Sequence, residues 1–255
     1  MSSPEPSVEL APAVPVSRIG LPAALQLLEH GSMEVIGRLV DASNATLYCS
    51  VTLDGITAAC VHKPVAGERP LWDFPDGTLA GREVAAYRVS AATGWDVVPP
   101  TVMREGPWGP GMCQLWVDID TAADVVELLR GDDDRVRRVA VLDAVINNAD
   151  RKGGHILPTP DGQLQGIDHG VCFAVENKLR TLLWRWAGEP LPVEAVDMLA
   201  GLLDRWADDL GPDLAALLTA AEVAATRRRI KLLLRTGVHP VPREDGWPAV
   251  PWPPF

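Results

Sequence analysis

Three short runs rich in β-branched residues punctuate the first half of the chain, whereas apolar residues spaced three or four apart dominate the second. A strand points successive side chains to opposite faces, whereas a helix returns to one face every 3.6 residues, so the two periods mark different elements. Leu21 to His30 predicts a short amphipathic helix stopped by Gly31. Glu34 to Val40, Thr46 to Leu53 and Ile56 to His62 predict three antiparallel strands rich in β-branched residues. Asp54-Gly55 gives a tight turn between the last two, and DASNA, Asp41 to Ala45, joins the first two. Pro64 to Thr78 is a long polar loop, and Ala80 to Ala92 predicts a helix ending at Gly94. Val97 to Met103 and Gln114 to Asp118 predict two further strands joined by a GPWGPG loop.

In the second half, Thr121 with Asp124 resembles a capping box for a helix that stops at Gly131. Val136, Val139, Leu142, Val145 and Ile146 form the stripe of the next helix, for which Asp132, Asp133 and Asp134 make a solvated start favoured by the helix dipole. ILPTPDGQLQGI then reads as a β-hairpin, and helices are expected near Asn177 to Trp186, Val193 to Leu210 and Asp213 to Arg235. The proline-rich tail reads as a strap whose Trp247, Trp252 and Phe255 would gain by burial. The expected fold class is therefore α+β and bilobal. A flexible segment (1–18) precedes a β-rich lobe (19–118), a helical lobe (119–237) carrying a hairpin region (147–170), and the strap (238–255).

Composition narrows the function. With 255 residues, 47% of them hydrophobic, the chain is long enough for a sizeable core. A net charge of −11 argues against nucleic acid as a partner. No run approaches the roughly 20 apolar residues of a transmembrane segment, and the first eighteen residues lack the pattern of a signal peptide. Cys49, Cys60, Cys113 and Cys172 are too scattered for a zinc site or a disulfide framework, so a reducing, cytoplasmic setting is expected. Leu232, Leu233 and Leu234 lie beside Arg227, Arg228, Arg229, Lys231 and Arg235; membrane-surface contact is conceivable there, but a packing helix is favoured. Lys178, Arg180 and Arg185 read as the wet face of a helix rather than a site for an anionic substrate.

The chemistry concentrates in NNADRKGGHILPTPDGQLQGIDHG, residues 147–170. Asp150 and Asp168 sit in turns at the two open ends of the hairpin, and neighbouring strands lie only about 4.8 Å apart. The two carboxylates and His155 should therefore converge, which calls for a cation or proton between them. Mg²⁺ is commonly held by one or two carboxylates together with substrate phosphates.

NADR, a short loop, a hairpin and IDHG together resemble the phosphatidylinositol 3/4-kinase-like family, including an actinobacterial branch of it, within the wider protein-kinase-like fold. The resemblance is strongest from Asp143 to Phe173 and weaker from Glu34 to Val117. It implies an ATP-dependent phosphotransferase with a hydroxyl-bearing acceptor. Asp150 would orient or deprotonate that hydroxyl and Arg151 would brace its loop. Asp168 and His155 would hold the metal, Mg²⁺ or, because of the imidazole, Mn²⁺. Lys63 would pair with the phosphates and Glu83 with Lys63; Ser43 and Asn44 would lie over the phosphates. The backbone of Gln114, Leu115, Trp116 and Val117 would meet adenine. Two departures stand out: His155 occupies the place of the family's usual asparagine, and DASNA has no glycine. A nucleotide-binding pseudokinase and an AMP-transferring enzyme on the same fold stay open.

Overall fold

The structure, a computed structural model, describes residues 19–39, 44–244 and 246–255; Ser43 and most of the DASNA turn, like the segment 1–18, lie outside them. The fold is α+β and divides into two compact units. A sheet unit comprises Met1–Arg69 and Pro100–Trp116, and a helical unit comprises Pro70–Pro99 and Val117–Phe255.

In the sheet unit, α1 (Leu21–His30) precedes β1 (Ser32–Leu39), β2 (Thr46–Leu53), β3 (Ile56–Pro64), β4 (Thr101–Gly106) and β5 (Gly109–Leu115). All pairings are antiparallel and the spatial order is β1-β2-β3-β5-β4. Period-two alternation sends Leu47, Cys49, Val51, Ala58, Cys60, Cys113 and Leu115 to one face, where they form a core with Leu27 and Leu28 of α1. Tyr48, Lys63, Met112 and Gln114 fall on the opposite face.

The last hairpin differs from expectation. Strand pairing starts at Thr101, not Val97, and continues through the glycine-rich stretch to a two-residue turn at Pro107-Trp108. Pro99 and Pro100 offer no N–H for a ladder, which delays the strand. The glycines are there for space: a β-carbon on Gly106 would strike the His62 ring, and one on Gly111 would strike the Lys63 carbonyl.

In the helical unit, α2 (Leu79–Thr93), α3 (Val125–Arg130), α4 (Asp134–Ile146), the hairpin β6 (Ile156–Pro158) and β7 (Leu164–Gly166), α5 (Val193–Asp204), α6 (Gly211–Ala215) and α7 (Ala220–Thr236) follow in order. Helix α2, expected in the lobe 19–118, groups here: it packs against α4, α5 and α6 and is buried nearly all round. Three local readings are corrected. The cap of α3 is Asp124, accepting from the Glu127 N–H, not Thr121. The long terminal helix is broken, because Thr219 and Glu222 form a full capping box that starts α7 afresh. Residues 177–186 form no helix beyond a single 3₁₀ turn at Trp184–Trp186, because their backbone is hydrogen-bonded to Asn148, Arg151 and Ala249 instead. Lys178 is accordingly buried and ion-paired with Asp73 at 2.8 Å, not on a wet helix face.

The tail does lie along the helical unit. Gly188, Glu189 and Leu191 exchange backbone hydrogen bonds with Gly237 and His239, and the Ala249 carbonyl accepts from the Thr181 N–H and Trp184 Nε1. Trp252 and Phe255 nevertheless remain 85% and 58% exposed, so burial of these rings is not what holds the strap down.

Candidate active site

Helix α4 delivers the first half of the site. It ends at Asn147 in the left-handed region, φ 55°, where asparagine is better tolerated than most residues. The Asn147 amide donates to the carbonyls of Ala174 and Glu176 and its oxygen accepts from the Lys178 N–H, fastening the segment that follows Asp168. Asn148 accepts from the Asp150 N–H and donates to Asp143, which sets the turn carrying Asp150. The flanking backbone is stitched on both sides: Ala149 N–H to the Val171 carbonyl, Arg151 N–H to that of Arg180, and Arg180 N–H to that of Asn148.

Beneath this turn lies a fully buried ion pair. Arg151 Nε and Nη2 donate to the two Asp143 oxygens at 2.9 Å each, and Nη1 donates to the Ile167 carbonyl at 3.0 Å. Burial pushes the guanidinium pKa down, and the Asp143 charge more than offsets it, so Arg151 stays charged. Arg151 Nη2 also lies 2.6 Å from His169 Nε2, so that nitrogen is the acceptor. One side chain thus braces both the Asp150 turn and the Asp168 turn. A β-carbon on Gly166 would crowd the same guanidinium, which accounts for glycine there.

Asp168 adopts φ 62°, a strained backbone of the kind that collects at functional sites. Its carboxylate lies 3.4 Å from His155 Nε2. Burial lowers the His155 pKa, against the pull of Asp168, so the imidazole is neutral at pH 7. Asp150 is also close enough for its charge to act on His155, and it pairs with Lys152 at 3.2 Å. His155 and Asp168 therefore meet at the open end of the hairpin, with the Asp150 charge acting on His155 from nearby. Ligands at adjacent corners of an octahedron with bonds near 2.1 Å are about 3 Å apart, so the His155–Asp168 spacing fits a shared divalent ion. Among the described residues no cluster of three or more metal-ligating side chains occurs; water or substrate oxygens would complete the shell.

Glu83 is buried in α2 and accepts from the His169 N–H at 2.7 Å, fixing the backbone beside Asp168. Its neighbour Arg82 donates to the Cys172 carbonyl and to Glu222 on the same stretch of chain and α7. In the sheet unit, Lys63 is half-buried on β3 opposite Met112. The Asn44 side chain accepts from the Arg69 N–H at 2.9 Å. Gln114 donates to Thr101. The N–H groups of Leu115 and Trp116 donate to the carbonyls of Pro100 and Ala59; the Trp116 ring meets Tyr48 edge-on, and Val117 begins the next stretch of the helical unit.

Sequence reasoning passed over Asp143, Lys152 and His169. The signal for Asp143 was its place within the apolar run VLDAVI, since a charge on a buried stripe demands a partner.

No protein-family model matches the chain. It is 31% identical over 197 residues to phosphatidylinositol 4-kinase gamma 4 of Arabidopsis thaliana, covering 64% of this chain and 34% of that protein. Its rice counterpart is 32% identical over 148 residues, 49% of this chain and 26% of that protein. The Helicobacter pylori proinflammatory kinase CtkA superimposes with a TM-score of 0.46 at 10% identity, over 83% of this chain and 94% of that one. The chain is similar, over part of its length, to plant phosphatidylinositol 4-kinases. More particularly, the chain is 47% identical to Protein Rv2133c of Mycobacterium tuberculosis over 90% of its own length and 94% of that protein, and it belongs to that protein's family.

Proposed function

We propose that the chain is an ATP- and divalent-metal-dependent phosphotransferase with a hydroxyl-bearing acceptor. The observation that carries this reading is the approach of His155 and Asp168, beside the Asp150 charge, on turns braced by the buried Arg151–Asp143 pair. Partial similarity to phosphatidylinositol 4-kinases supports it. In this reading Asp150 orients or deprotonates the acceptor hydroxyl, Asp168 and neutral His155 hold the metal, and the metal neutralises phosphate charge. Lys152, paired with Asp150, would meet developing charge on the transferred group, and Lys63 would pair with the phosphates. Catalysis would then rest on positioning and charge, as phosphoryl transfer requires.

A nucleotide-binding pseudokinase is the second reading. It draws on His155 in place of the family's asparagine and on the Lys152 ammonium engaging Asp150.

The test is a thermal-shift titration with ATP, with and without Mg²⁺ or Mn²⁺, on wild type and Asp168→Asn. At 100 times its Kd a ligand of the folded state adds about 2.7 kcal/mol. We expect a metal-dependent shift in wild type that Asp168→Asn loses; no shift at millimolar ATP would overturn nucleotide binding. ATP labelled at the α or γ position then separates AMP transfer from phosphoryl transfer. Turnover abolished in Asp150→Asn favours the enzyme, and binding with no turnover of any acceptor favours the pseudokinase.

A further inference from the structure

Gly153 follows Asp150 by three residues and begins the single 3₁₀ turn, Gly153–His155, that delivers His155. Its backbone lies outside the left-handed region, so local conformation does not require glycine. Space does: a methyl on Gly153 would run into the ring of Phe255, a residue 102 positions away. The Gly153 N–H is also taken by the strap, donating to the Pro254 carbonyl at 2.9 Å. Two adjacent glycines make residues 153–154 the least self-ordered part of the loop, and the turn's own ties are few: His155 N–H to the Lys152 carbonyl and Ile156 N–H to that of Gly153. The strap is anchored upstream at Thr181 and Trp184 through Ala249, in the same segment whose Arg180 backbone flanks Asp150. Its prolines hold it extended and present carbonyls without N–H groups that would need partners.

We propose that the strap positions the catalytic turn. The Phe255 ring covers Gly153, the Pro254 carbonyl holds its N–H, and Lys152 and His155 take their places when the strap is seated. This rests on the reading of Asp150 and His155 as site residues. Phe255 and Pro254 are positioning residues that act through the turn.

The experiment compares full-length wild type with Phe255→Ala, Gly153→Ala, the double variant and Phe255→Leu. Two quantities are read: hydrogen exchange of residues 152–156, and acceptor-free hydrolysis of Mn²⁺-ATP resolved into kcat and KM. The Phe255 ring is more than half exposed, so the alanine variant keeps its fold. Phe255→Ala should speed exchange at Gly153 about tenfold, because a local opening has become easier. It should lower kcat at least about tenfold with KM for ATP nearly unchanged, as a small misplacement of a reacting group does. Phe255→Leu should restore much of both. Gly153→Ala should cost a similar factor in wild type and little more in Phe255→Ala, where the methyl meets no ring; such non-additivity marks direct coupling. Unchanged exchange in Phe255→Ala would overturn the proposal, and so would an equal cost of Gly153→Ala in both backgrounds. If wild type neither binds nor hydrolyses ATP, the phosphotransferase reading falls, while the exchange measurements still decide whether the strap holds the turn.

Discussion

Among the described residues of the sheet unit, the buried polar side chains are Thr46, His62, Thr101 and Gln114, and none carries a charge at neutral pH; burial keeps the His62 pKa low. The helical unit buries Arg82, Glu83, Asp143, Arg151, Lys178 and Glu222. The two units therefore hold their shape by different means. A sheet face of Leu, Val, Ala and Cys is stabilised by non-directional burial and tolerates changes that keep volume. The loops of the helical unit are set by directional contacts between charges, which fix a side chain to fractions of an ångström but fail badly when one partner is lost. The turns that carry Asp150 and Asp168 hang on this network: Asn148 accepts from the Asp150 N–H, Arg151 donates to the Ile167 carbonyl and Glu83 accepts from the His169 N–H.

The largest effect should come from removing one charge of the buried pair. Asp143→Ala leaves Arg151 uncompensated and should destabilise the protein by about 4 kcal/mol in urea unfolding. A loss below about 1 kcal/mol would mean that the pair is not the scaffold of the site. Leu47→Ala in the sheet core supplies the comparison. It should cost about 3 kcal/mol through lost burial and a residual cavity. Nucleotide binding should separate the two variants under conditions where both are folded: Asp143→Ala weakens it by displacing the Asp150 and Asp168 turns, and equal weakening by Leu47→Ala would erase the distinction.

The same contrast explains what the sequence made legible. Helix α1, the meander β1–β3, helix α2 and the hairpin β6–β7 follow from local period, glycine stops and turn residues, and they lie within a residue or two of expectation. The approach of His155 to Asp168 was also readable, because a short hairpin brings its ends together. What escaped depends on partners far away in sequence. Residues 177–186 have helical composition, yet Asn147, Asn148, Arg151 and Ala249 claim their backbone groups. The glycine-rich start of β5, Gly109 to Gly111, looked like a loop because its reason, the close approach of β3, is invisible locally. Helix α2 was read correctly as a helix, but only the buried reach of Arg82 and Glu83 towards Glu222, Cys172 and His169 reveals which unit claims it.

Acid should expose a third, more gradual difference. Burial, with Arg137 adding to it, lowers the His239 pKa in the strap from 6.5 to about 4. The unfolded chain therefore binds a proton that the folded one refuses, and stability rises with pH through this window. The contribution is complete above about pH 6.5 and is lost as pH falls towards 4, amounting to no more than about 3 kcal/mol. His239→Gln, which keeps an acceptor for Arg137 Nε, should flatten the stability-pH curve between these limits. An unchanged slope would place the acid sensitivity elsewhere, for example in His62 of the sheet unit.

The smallest effect tests whether the charged network extends to the start of α7. Glu222 serves two masters: one oxygen accepts from the buried Arg82, and the other accepts from the Thr219 N–H and hydroxyl. Those contacts hold its pKa low in spite of the burial that raises it. Thr219→Ala removes only the hydroxyl half of the capping box and should cost about 1 kcal/mol, the usual worth of an N-cap. Glu222→Gln keeps the cap's geometry but takes away the charge that Arg82 faces, so it should cost distinctly more. If the two cost the same, Glu222 is a helix cap and nothing else, and the ionic support of the site ends at Arg151.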